Sequence, residues 1–103
     1  MVIRVAQPER PGFQLRPGEQ GLSVFVVDAV IPPLTDLEIL QSFRAGSIAL
    51  TRSEEEFLGK GLTIVPVAGT MDLPERLQQA HHEIRPNPQM TRAEFKRALK
   101  ELE

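Results

Sequence analysis

This sequence predicts a single α+β domain, residues 1–103, with one curved, mostly antiparallel sheet of five to six strands and three to four short helices. Three observations predict it. Short β-rich runs and capped helical runs follow one another without the regular alternation of a doubly wound sheet. Leu22–Val27 is apolar almost throughout, as expected of a central strand covered on both faces. The last helical stretch carries Phe95, Ala98, Leu99 and Leu102 at helical spacing, one apolar stripe for one core.

Each element follows from local chemistry. Residues 2–6 read as a short strand, broken by Pro8 and Pro11-Gly12. Phe13-Gln-Leu-Arg16 alternates apolar with polar, the period of a half-buried strand. Pro17 to Gly21 is a turn by composition. Thr35-Asp-Leu-Glu38 is a capping-box pattern opening a helix over 36–43, with Leu37, Ile39, Leu40 and Phe43 toward the core. Residues 47–51 are strand-like, and Ser53-Glu-Glu-Glu56 starts a short helical turn stopped by Gly59. Residues 62–67 form another strand, with Pro66 favouring an edge. Gly69-Thr70 is a turn, and Asp72 is the expected cap of a helix running into Ala80. His82 to Arg85 is a short strand ended by Pro86, and Thr91-Arg-Ala-Glu94 caps the closing helix.

Composition narrows the function classes. There is no cysteine, which excludes disulfide scaffolds, thiolate catalysis and cysteine-ligated zinc. No run reaches membrane-span length and the N-terminal apolar run is too short for a secretory signal, so a cytoplasmic protein with no membrane partner is expected. A net charge of −2 argues against a nucleic-acid partner. The charge is uneven: residues 26–59 are mainly acidic and 76–100 mainly basic. Such segregation suits two solvated surfaces, a phosphate ligand, or self-association into a homo-oligomer. Arginine outnumbers lysine nine to three, with nine prolines and one asparagine, a composition compatible with a thermophilic source.

The stretch Arg76 to Pro86 holds both histidines, His81 and His82, beside Glu83 and between Arg76 and Arg85. No metal site is expected, because adjacent histidines on a strand diverge and no further ligand group has metal spacing. The period of two sets His81 and Glu83 on one face and His82 and Ile84 on the other. With Ile84 in the core, Glu83 faces solvent or a cleft, where a carboxylate can bind a ribose hydroxyl or stabilise a cationic sugar. Arginines at strand ends, Arg16 and Arg85, can clamp phosphate. Ser23, the one polar side chain of its strand, can orient an amide. The plainer readings are a Glu83 paired with an arginine on the surface, a Ser23 satisfied by neighbouring backbone, and half-packed histidines.

Two blocks carry a family resemblance. Gly21-Leu-Ser-Val-Phe25, and Arg76-Leu-Gln-Gln-Ala-His81 followed by Ile84, Pro86 and Met90 before a closing helix, resemble the C-terminal part of a small type VI secretion effector toxin with an ADP-ribosyltransferase-like fold. The resemblance implies a curved β core and a cleft for NAD. It implies a catalytic part for Ser23, although Leu22 stands where the family has threonine. Glu83 matches no carboxylate of that run and takes its catalytic part from the general scheme of such transferases. The resulting expectation is an ADP-ribosyltransferase-like protein with Glu83 and Ser23 catalytic and Arg16, His81 and Arg85 binding NAD or a related nucleotide. The competing expectation is a non-enzymatic, self-associating interaction module.

Overall fold

The computed structural model describes residues 1–67 and 72–103. Five strands, β1 (Val2–Ala6), β2 (Leu22–Val26), β3 (Ile48–Arg52), β4 (Leu62–Pro66) and β5 (His81–Pro86), form one sheet in the order β3-β1-β2-β5-β4. Every neighbouring pair is antiparallel. Among the described residues there are four α-helices, α1 (Asp36–Leu40), α2 (Glu54–Leu58), α3 (Glu75–Ala80) and α4 (Arg92–Lys100), and a 3-10 turn at Val27–Ala29. The fold is α+β, as expected, with β2 central and β4, carrying Pro66, at an edge.

The period of two sorts the core into two layers. Val2, Leu22, Val24, Ile84 and Leu62 face the side covered by α4, whose Phe95, Ala98 and Leu99 are buried against them with Phe13 and Phe57. Ile3 and Phe25 face the other side, under Val30, Leu34, Ile39, Leu77 and Ala80. Helices cover only one end of that second face. At its other end Ser23, Glu83 and Val65 are half-buried, and Arg85 and Thr63 are exposed. The expectation of a β2 covered on both faces therefore holds from Val24 onward and fails at Ser23.

Four local expectations are corrected. Phe13–Arg16 is not a strand. Its alternation survives as burial of Phe13 and Leu15, but the Glu103 carboxylate binds the amides of Gly12 and Phe13 at 2.8 and 2.9 Å, in place of a ladder. Gly12 lies so close to β3 that a Cβ there would sit 2.1 Å from Leu50 Cδ1. Helix α1 stops at Leu40, and at that length it buries only Ile39; Leu37 is 68% exposed, while Leu40 and Phe43 are half-buried. Thr35 accepts from the Glu38 amide at 3.2 Å, but Glu38 does not close the box, because its carboxylate turns to Arg76 at 2.7 Å. The boxes at Ser53 and Thr91 both close. Asp72 does not cap α3; the helix starts at Glu75 behind Pro74, whose ψ of 150° is still extended. The expected turn at Gly69-Thr70 lies outside the described residues.

One seam in the sheet is open. β1 pairs with β3 along its whole length, but with β2 only through Val2–Val26 and Ile3–Phe25. Beyond that point Arg4 takes over the missing ladder. Its Nε donates to Gly12 O and its Nη1 to Ser23 O, both at 2.9 Å. These bonds join the inner strands to the loop between them. Burial pushes the Arg4 pKa down, against the pull of Glu19 and Glu103 in the other direction.

Replacing Arg4 with methionine keeps the stem but leaves two carbonyls without their donor, so it is expected to lower stability by about 3 kcal/mol. Arg10→Met, at an exposed position whose side chain makes no hydrogen bond among the described residues, should stay within about 0.5 kcal/mol of wild type. Urea denaturation of both variants checks this; equal midpoints would show that Arg4 is not structural.

Candidate anion site at the sheet seam

The Arg4 seam opens into a cavity of about 190 Å³ whose polar lining includes Arg4, Arg10, Arg16, Gln7 and Gln14. Among the described residues none of these three arginines forms an ion pair. The nearby carboxylates make their contacts with other groups, although Glu19 and Glu103 still attract the Arg4 charge. Glu9 pairs with Arg44 at 2.6 Å, Glu19 accepts from the Arg16 amide at 2.7 Å, and Glu103 holds the Gly12 and Phe13 amides. Arg16 also repels charge on Arg4, and this adds to the downward pull on the Arg4 pKa. The cavity therefore gathers positive charge with spare donors, the arrangement that binds phosphate or carboxylate.

A second polar group lies on the open end of the sheet. Ser23 and Glu83 are direct cross-strand partners on β2 and β5, and Val65 of β4 is the next partner of Glu83. Arg85, two residues along β5, reaches Glu83 Oε1 through Nη2 at 3.0 Å and Nε at 3.1 Å. Glu83 is three-quarters buried in this pair and Arg85 about half, a geometry that contributes little stability. Gly21 makes the close approach possible: a Cβ there would meet Ile84 O at 2.6 Å and Glu83 Oε1 at 3.1 Å.

The sequence-derived candidates thus divide in two. Ser23, Glu83 and Arg85 share one patch. Arg16 lies in the seam cavity, which neither Ser23 nor Glu83 lines. Arg4 connects the two through its bond to Ser23 O. Sequence reasoning missed Arg4, although a lone arginine between Ile3 and Val5 in an apolar strand was the available signal. It also missed Arg10, which no local pattern marks.

His81 is 3% exposed, its ring tilted at 40° to that of Phe25 with centroids 5.8 Å apart, and its Nε2 has no hydrogen-bond partner among the described residues. His82 points to the opposite face and sets Nδ1 2.9 Å from Ala80 O. Arg76, the other basic neighbour, is occupied by Glu38 and by the carbonyls of Ile31 and Pro32. No group of metal-ligating side chains occurs among the described residues, and no helix there is long and apolar enough to cross a membrane.

No family model, curated protein or solved structure matches the chain.

Burial holds the His81 pKa below its ordinary value of 6.5, with the Val67 backbone and Glu83 partly opposing. The unfolded chain then takes up the proton first as pH falls. Stability is full above about pH 6.5, declines below it, and levels off once pH passes the folded-state pKa. The thermal midpoint of the wild type should fall between pH 7.5 and 5.5, and that of His81→Phe should fall less. Parallel slopes would remove His81 as the cause.

Proposed function

We propose that the protein is ADP-ribosyltransferase-like and binds NAD or a related nucleotide, with the phosphates held by Arg4, Arg10 and Arg16 in the seam. The observation that carries this reading is the convergence of three arginines without ion-pair partners on one cavity. At about 190 Å³ the cavity is smaller than the ~300–1,000 Å³ of typical ligand pockets. It therefore suits the phosphate portion alone, with the rest of the nucleotide lying along the open end of the sheet. Ser23 and Glu83 are the polar cross-strand pair on that end, and the Ser23 backbone carbonyl accepts from Arg4 of the cavity.

In this reading the bound nucleotide supplies the glycosidic bond, and the chain supplies orientation and charge. Arg16 and Arg10 offer planar donor forks to phosphate oxygens at the exposed rim, and Arg4 anchors the deep end. The Ser23 hydroxyl orients the nicotinamide side. Glu83 accepts from a ribose hydroxyl and stabilises positive charge on the sugar. Arg85 acts as a positioning residue, since its Nε and Nη2 both hold Glu83 Oε1 and leave Oε2 for the ligand. His81 is buried under α3 and has no part in contacting the ligand. The alternative, a self-associating module, draws on the unpaired outer edge of β3, where Ile48 and Thr51 are exposed.

Calorimetric titration tests the reading. NAD and pyrophosphate should both release heat with the wild type, and Arg16→Ala should weaken both by about tenfold, the effect of losing one charge-assisted contact. Glu83→Gln should weaken NAD but leave pyrophosphate unchanged. No heat at millimolar NAD or pyrophosphate would remove the reading.

A further inference from the structure

Separate from the seam, a groove of about 410 Å³ runs between residues 11–15 and α4. Its apolar side is formed by exposed Pro11 over the buried Phe13 and Leu15, and its rim carries Lys96 and Lys100, one helical turn apart. Both lysines are exposed, and among the described residues neither has a salt-bridge partner. The one carboxylate lining the groove, Glu103, accepts from the amides of Gly12 and Phe13 and pairs with neither lysine. Two lysines against this one carboxylate leave the groove with an excess of positive charge. This patch is positive on a chain whose net charge is −2. The rest of α4 differs. Arg92 gives its guanidinium to the carbonyls of Arg16 and Glu19, and Arg97 lines a different cavity with Met90 and Glu94.

We propose that this groove docks an acidic amphipathic helix of a partner protein. Two carboxylates four residues apart on the partner would meet Lys96 and Lys100, and an apolar side chain between them would lie against Pro11 and the lysine stems. Charge complementarity selects this occupant. An apolar peptide would leave both lysines unpaired and a basic one would be repelled. The spacing also matters, because i and i+4 positions of one helix face the same spacing on another. A nucleic acid would satisfy the lysines but not the apolar side of the groove. The inference does not rest on the nucleotide reading, since it concerns the other side of the 11–14 segment and a different ligand class.

The test uses the whole chain and a fluorescein-labelled helical peptide with paired glutamates flanking one leucine. Its twin carries lysine for glutamate, and a single-stranded DNA oligonucleotide serves as a plain polyanion. Fluorescence anisotropy should rise with the acidic peptide only, and less so as salt increases. Lys96→Glu should weaken binding about tenfold, whereas Arg97→Glu, with the same change in net charge at a residue outside the groove lining, should change it less than about twofold. Circular dichroism confirms that both exposed substitutions leave the fold intact. No binding of the acidic peptide, equal loss in the two variants, or equally tight binding of the oligonucleotide would each overturn the proposal.

Discussion

The structure depends on how the seam between its two inner strands is closed. β1 and β2 are neighbours in the middle of the sheet, yet they share only two residue pairs before they part. An open seam in the centre of a sheet leaves backbone carbonyls without donors, each costing about 1–3 kcal/mol if buried. Arg4 supplies those donors from a side chain. Its two bonds reach Gly12 on the loop and Ser23 on β2, and Glu103 in turn secures the loop by binding the amides of Gly12 and Phe13. Residues from the first quarter of the sequence and its last residue thus meet in one polar chain. The same device gives the domain its positive cavity, because a guanidinium with five donors closes two bonds and has donors to spare.

The position of the polar patch on the sheet follows from incomplete coverage. α1 and α3 are short and occupy only one end of their face. Phe25 and His81 lie beneath them, whereas Ser23 and Glu83, two residues further along the same strands, do not. The alternation of a strand thereby carries one row of side chains from a dry core into an accessible patch. The segregated charge finds part of its use inside the chain as well. Arg76 from the basic section meets Glu38 from the acidic one and joins α3 to α1, so that exchange needs no second copy.

Much of the fold was legible, because strands and helix starts are set by neighbours in sequence. The boxes at Ser53 and Thr91, the central β2 and the edge Pro66 all depend on local spacing. The misses arise where a distant group competes. Glu38 leaves its own cap for Arg76, and the amides of Gly12 and Phe13 pair with Glu103 across the domain. The pairing of Ser23 with Glu83 depends on strand order and register, which periodicity does not supply. Glu83 was legible as an outward carboxylate on β5, and its bond to Arg85 is the plainer of the two readings the residue allowed. The seam cavity was legible only in Arg16, because it forms where a ladder fails.

The most direct test of this account is the behaviour of the Arg4 side chain in solution. Nitrogen-15 NMR resolves arginine Nε–H signals, and their exchange with water reports burial and hydrogen bonding. A slowly exchanging Nε–H that is lost in Arg4→Met, and whose resonance shifts when pyrophosphate is added, is the expected result. An Arg4 Nε–H that exchanges as fast as those of exposed arginines, and does not respond to pyrophosphate, would contradict both the closed seam and the site built on it.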